Sequence, residues 1–169
     1  MTTYYTKEGK FILPPYKNIP YDKLHRSDGP AVEYKNGNKE WWINGNLHRE
    51  DGPAIVWKDG DKEWLINGKQ HRLDGPAVWA KGRKEWRING ILHRLNGPAV
   101  IAPDYYKAWY KNGKIHRLDA PAIIWSNGDE EWWVNGKKLN TNEVENWINN
   151  NNINLKTKVH QVLFMLRFG

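Results

Sequence analysis

The chain has no cysteine, only three phenylalanines and two methionines, and no long apolar run. Without cysteine there are no disulfides, no thiolate zinc sites and no thiol nucleophile. No stretch approaches the ~18 consecutive apolar residues that suggest a membrane-spanning helix. Met1-Thr2-Thr3-Tyr4-Tyr5-Thr6-Lys7-Glu8 lacks the charged-then-apolar order of a secretory leader. These absences predict a soluble, cytoplasmic protein with no stable membrane insertion. No glycine-rich loop leads into a helix in the way a phosphate-cradling loop does.

What the chain does have is tryptophan (11 residues), tyrosine (8) and a sentence written five times. His25-Arg26-Ser27-Asp28-Gly29-Pro30-Ala31 returns at His48, His71, His93 and His116, with the step from His71 to His93 one position shorter than the others. A fixed period of about 23 residues marks an array of one supersecondary unit. Each unit reads as two short strands and two tight turns. In the first unit these are Pro30–Lys35, Asn36-Gly37, Lys39–Ile43 and Asn44-Gly45. Asn-Gly and Asp-Gly supply the positive φ that a two-residue hairpin requires. Alternation then predicts a core face shared by the columns Trp41/Trp64/Trp86/Trp109/Trp132 and Val32/Ile55/Val78/Val100/Ile123. The variable column Trp42/Leu65/Arg87/Tyr110/Trp133 falls on the other face.

Trp42-x-x-Gly45-x-x-His48, Tyr110-x-x-Gly113-x-x-His116 and Trp133-x-x-Gly136 match the frame of a MORN repeat. Residues 24–138 resemble that family, in a His-Arg-x-Asp-Gly-Pro-Ala variant similar to repeat proteins of large viruses and bacteriophages. The chain departs from the usual MORN unit where Arg26, Arg49, Arg72, Arg94 and Arg117 stand in place of the glycine after His. The resemblance implies an all-β hairpin-repeat solenoid, used as a scaffold, a lipid contact or an appendage of an enzyme. Residues 1–23 read as a degenerate N-terminal capping unit, with Tyr16-Lys17-Asn18-Ile19-Pro20 in the place of a second strand and turn. Residues 139–169 read as a C-terminal cap. In it Thr141 or Asn142 caps a helix carrying Val144, Trp147 and Ile148, and Thr157 opens a second apolar segment to Phe168.

The net charge of +7 favours anionic partners, although Lys and Arg are spread through all units. The five His do not suggest a metal site. Units of two strands set equivalent His roughly 10 Å apart, too far to share a zinc with bonds of about 2 Å. Ser27 is not repeated, and a site copied five times reads better as a joint than as an enzyme centre. No catalytic residue, metal or cofactor is expected. In the joint reading, Arg pairs with Asp and lies on Trp, while His bonds to a backbone carbonyl.

The predicted function is a non-enzymatic protein-binding or scaffolding module, with another protein or a second copy of the chain as partner. The alternative is a binder of an anionic ligand: a nucleotide, an oligonucleotide or a phosphoinositide. It would hold that ligand along His48, Arg49, His71, Arg72, His93, Arg94, His116 and Arg117. A protein-binding patch is expected from Trp79, Arg87, Tyr105, Tyr106, Tyr110 and Lys111, where the third and fourth units depart from the repeat. The column Glu33, Val56, Trp79, Ile101 and Ile124 is expected to be covered by the apolar tail or by a second copy.

Overall fold

A computed structural model describes residues 1–14 and 19–169. Tyr16, Lys17 and Asn18 of the expected leading strand and turn lie outside the described residues. The chain divides into two compact units, residues 1–82 with 86–90, and residues 83–85 with 91–169. Both are built from antiparallel hairpins.

In the first unit β1 (Thr2–Thr6) pairs with β2 (Gly9–Leu13) on one side and with Val32–Glu33 on the other. Lys39–Glu40, Ile55–Val56, Lys62–Glu63 and Val78–Ala80 follow, each bonded to the strand before it. In the second unit Arg83–Glu85, Val100–Ala102, Tyr106–Ala108, Ile123–Trp125 and Glu130–Glu131 pair in the same way. Past the tryptophan each second strand enters a small hairpin of its own, such as Trp42–Ile43 with Asn46–Leu47. The turns of these hairpins have both residues at positive φ, for example Asn44 at 49° and Gly45 at 76°. That is the geometry Asn-Gly favours.

The expected core face is wrong for the second strands of the first four repeats, and the reason is one residue of register; in the fifth, Trp132 is buried under the C-terminal cap. At Asn36-Gly37 only the glycine has positive φ (96°), and the loop is closed by Tyr34 N–H to Asn38 O at 3.0 Å. That is a three-residue loop. It sets Val32 opposite Glu40, where a two-residue turn would have set it opposite Trp41. The face shared with Val32 is therefore Glu40 and Trp42, and the Trp41 column lies on the other side. Lys81 (49°) and Gly82 (76°) do form a two-residue turn, which accounts for the one short step, from His71 to His93.

The core follows from this register. Ala31, Ala54, Ala77, Ala99 and Ala122 are fully buried. Val32 packs with Tyr4, Leu24 and Trp42, and Val100 with Ala108 and Ile123. The glutamates this register turns inward are satisfied locally. Trp42 Nε1 donates to Glu40 (2.8 Å), Gln70 to Glu63 (2.8 Å) and Trp133 Nε1 to Glu131 (2.7 Å). A buried carboxylate left without such donors is costly.

The C-terminal cap is helical. α1 (Thr141–Asn150) is capped by Asn140, one residue ahead of the expected Thr141, because its side chain accepts the Glu143 N–H. α2 (Lys158–Phe168) opens at Thr157, whose hydroxyl accepts the His160 N–H. Phe164 and Phe168 join Val144, Leu155, Trp132, Val134 and Leu139 in one cluster. The tail thus seats on Trp132. Among the described residues its cluster includes none of Val56, Trp79, Ile101 or Ile124, so it does not provide the expected cover. Among the described residues no helix is long and apolar enough to cross a membrane.

Candidate functional site

The repeated motif builds the same joint five times. His25 Nδ1 accepts the backbone N–H of Asn44 at 3.2 Å, and His48, His71, His93 and His116 accept those of Asn67, Asn89, Asn112 and Asn135 at 3.1–3.3 Å. The expected bond to a carbonyl is replaced by one from an amide. Where Nδ1 only accepts, as the bonds of His25, His93 and His116 have it, the neutral ring keeps its hydrogen on Nε2. Nδ1 of His48 and His71 also lies 2.9 and 2.8 Å from the side-chain oxygens of Asn67 and Asn89, to which a protonated Nδ1 would donate. The turn glycine donates to the carbonyl just before each His, as Gly68 does to Leu47 (2.8 Å) and Gly113 to Leu92 (2.9 Å). The following Arg N–H reaches across to the second strand, as Arg49 does to Leu65 O (3.1 Å).

The arginine side chains lie on the aromatic column that the register turns away from the core. Arg49 sits 4.3 Å over Trp41, Arg72 4.1 Å over Trp64 and Arg117 3.9 Å over Trp109. Tyr5 takes the tryptophan's place in the leading unit, with Arg26 at 3.9 Å. Cation–π contacts of this kind contribute about 0.5–1 kcal/mol at exposed sites. Nε of Arg26, Arg49, Arg72 and Arg117 donates to Asp28, Asp51, Asp74 and Asp119 at 2.7–2.8 Å. The arginine hydrogen bond holds Asp28, Asp51 and Asp74 below the usual aspartate range.

Successive motifs enclose shallow clefts. One, of 830 Å³, runs between Arg26 and Arg49 over Trp41 and Ile43; the next, of 480 Å³, runs between Arg49 and Arg72 over Trp64 and Ile66. Each is lined by two arginines and three carboxylates, Glu50 and Asp51 being common to both. His48 Nε2 lies 3.6 Å from Glu50 Oε1, which shows that this edge of the ring points into the cleft. A third cleft, of 490 Å³, is lined by Arg94, Asn96, Trp109, Lys111, His116, Arg117, Asp119 and Gln161. Among the described residues no three His, Asp or Glu side chains gather as metal ligands.

The expected patch residues are placed as follows. Trp79 lies 45% exposed on the face opposite the core, in register with Lys62. Arg87 donates to Gly90 O at 2.7 Å. Tyr106 and Tyr110 pack against Val100, Ala108 and Ile123. Tyr105 is exposed in the fourth unit's loop, and Lys111 lines the third cleft. The sheet face opposite the core carries Lys39, Val56, Lys62 and Trp79 in the first unit, and Lys84, Ile101, Lys107 and Ile124 in the second.

The apolar tail reads from the sequence first as a lid and only second as a partner-binding segment, and one row of it stays outward. Val159, Val162, Leu163 and Leu166, at i, i+3, i+4 and i+7 of α2, are all exposed, Leu166 to 80%. Read as a helix, the run shows that row in its periodicity, because α2 is apolar on two faces while the cap can cover only one. A scan of protein-family models and a search of curated proteins return no match to this chain.

Proposed function

We propose that this chain is a MORN-like β-hairpin repeat module of viral or phage origin, acting without catalysis as a protein-binding scaffold. The observation that carries this reading is the outward row Val159, Val162, Leu163 and Leu166 on α2. Isolated exposed aliphatics are ordinary; a contiguous helical row at core spacing marks a surface that another protein buries. The repeats then serve as a platform. Their motif residues are engaged in joints, and their inner columns are filled by alanine and valine. Lys158 and Arg167 border the row on α2, with Arg167 paired to Glu143 at 3.3 Å, so the fitting partner is a protein groove that is apolar at its floor and polar at its rim.

The test is a binding experiment with Val162→Asp/Leu166→Asp, changes on exposed positions that leave the inner face of α2 untouched. A partner isolated from the source cell should be retained by the natural chain and lost by the variant. Equal retention by both sinks the reading. If the natural chain alone sediments as a dimer and the variant as a monomer, the partner is a second copy. The second sequence reading, an anionic-ligand binder, draws its support from the third cleft.

A further inference from the structure

The third cleft is the first two rewritten in charge. Against the cleft between Arg49 and Arg72, every position has a counterpart two repeats on: Arg94 for Arg49, Trp109 for Trp64, His116 for His71, Arg117 for Arg72. Charge changes at three of the counterparts. Asn96 replaces Asp51, Leu95 replaces Glu50 and Lys111 replaces Ile66. The first removes the carboxylate of the arginine's own motif, and the last adds a cation on the exposed strand beside it. Both fall in the same cleft, although two strands separate them in the chain. The cleft therefore holds three cations (Arg94, Lys111 and Arg117) and one carboxylate.

That carboxylate is doubly engaged. Asp119 accepts from Arg117 Nε at 2.7 Å and from Lys156 Nζ at 3.3 Å. Burial would raise its pKa, but the hydrogen bonds and charges of Arg117 and Lys156 outweigh that and hold it low. Arg94 keeps its structural bond, Nη1 to Pro98 O at 3.0 Å. His116 accepts the Asn135 N–H on Nδ1 at 3.1 Å and so keeps Nε2–H as a neutral donor. Gln161 of α2 supplies a wall that the two clefts of the first unit lack. The leading cleft at Tyr5 also has three cations, Lys7, Lys10 and Arg26, to one carboxylate. There, however, Arg26 already holds both Asp28 and Glu33, and both lysines are exposed on the β1–β2 hairpin.

We propose that the third cleft binds the phosphate monoester of a small soluble molecule, with Arg94 and Lys111 on the dianion and His116 Nε2–H on a remaining oxygen. Two full cations match the double charge of a phosphate monoester; a single carboxylate would leave one of them uncompensated. The cleft volume of 490 Å³ suits a small molecule. This site is separate from the α2 row, and either can fail without the other.

Titration calorimetry at low salt, with inorganic phosphate, AMP and adenosine as probes, tests it. The natural chain should bind AMP more tightly than phosphate, and adenosine not at all, with both affinities falling as salt rises. Asn96→Asp and Lys111→Ile each restore the residue of the regular units, so the fold is kept. Each should weaken AMP at least about tenfold, while Lys10→Ala in the leading cleft changes nothing. Melting curves of both variants should match or exceed that of the natural chain. Undiminished AMP binding in the two restored variants, or no binding of phosphate and AMP by the natural chain at millimolar concentration, overturns the site. Equal affinity for phosphate and AMP overturns its assignment to an ester.

Discussion

The clefts between Arg49 and Arg72 and between Arg94 and Arg117 share a backbone plan and differ in charge. In the first, two arginines face three carboxylates, and the motif is consumed by its own joint. In the second, Asn96 and Lys111 leave an excess of cations in the same frame. A repeat array is its own control: whatever every unit does is architecture, and whatever one unit does alone is open to another purpose. The same contrast holds within α2. Its inner face is buried like the repeat core, and its outer face has the same chemistry but is exposed.

The sharpest break of that comparison is inside against outside on α2. Phe164 is fully buried against Trp132, Trp147 and Phe168. Phe164→Ala should therefore cost about 3–5 kcal/mol in urea unfolding. Leu166→Ala, on the opposite side of the same helix, should stay within about 0.5 kcal/mol. Comparable losses at both positions would mean that the outer row is packed in solution.

The two kinds of joint also separate by glycine. Gly97 in the fourth unit has φ 123°, whereas the glycines of the first three motifs are not at positive φ. Gly97→Ala should therefore destabilise by about 1 kcal/mol. Gly52→Ala brings a methyl 2.9 Å from the Arg49 guanidinium carbon, a flexible end that can shift. The fifth motif already carries Ala120 there and keeps Arg117 3.9 Å over Trp109. Gly52→Ala should cost less than about 0.5 kcal/mol. Thermal melts of the pair decide whether the fourth joint is the strained one.

A smaller effect distinguishes the basic cleft by pH. His116 titrates below the ordinary 6.5, first because it is buried and second because of Lys111, against the opposing pull of the Asn135 side chain. The fold thus favours the neutral ring. Its contribution is present above pH 6.5 and is lost as pH falls through the lower folded value. Stability should decline as pH falls below 6.5, and Lys111→Ile should flatten that decline. An unchanged slope would remove Lys111 from the electrostatics of the ring. The Arg–Asp pairs at Asp28, Asp51 and Asp74 act in a lower window. Their stability is present above the ordinary aspartate value of 3.8 and is lost as pH falls below it.

The strands, the turns and the first cap helix were legible because each follows from local chemistry: Asn-Gly pairs, alternation, and the spacing of Val144, Trp147 and Ile148. The apolar run from Val159 to Phe168 was not, because its periodicity does not decide between helix and strand. The face of the tryptophan column was not. Asn36-Gly37 and Lys81-Gly82 look equivalent as text, yet one belongs to a three-residue loop and the other to a two-residue turn. A single residue of register reverses every side chain. The arginine-on-tryptophan stack was readable from residue types alone. The meeting of Asn96 with Lys111 was not, because only the returning hairpin brings Leu95-Asn96 and Tyr110–Lys111 to one cleft. The leading unit hid for a similar reason. Tyr5 does the work of a tryptophan, but it lies much further ahead of His25 in the chain than Trp41 lies ahead of His48.

The claim that the regular motifs are joints and the misspelled one is a site is tested most directly by an amide NMR titration of the natural chain with AMP. Shifts confined to Arg94, Asn96, Lys111, His116 and Arg117, with His48, Arg49, His71 and Arg72 unmoved, are the expected result. Shifts of equal size at all five motifs would contradict it and make the His–Arg column itself the binding surface.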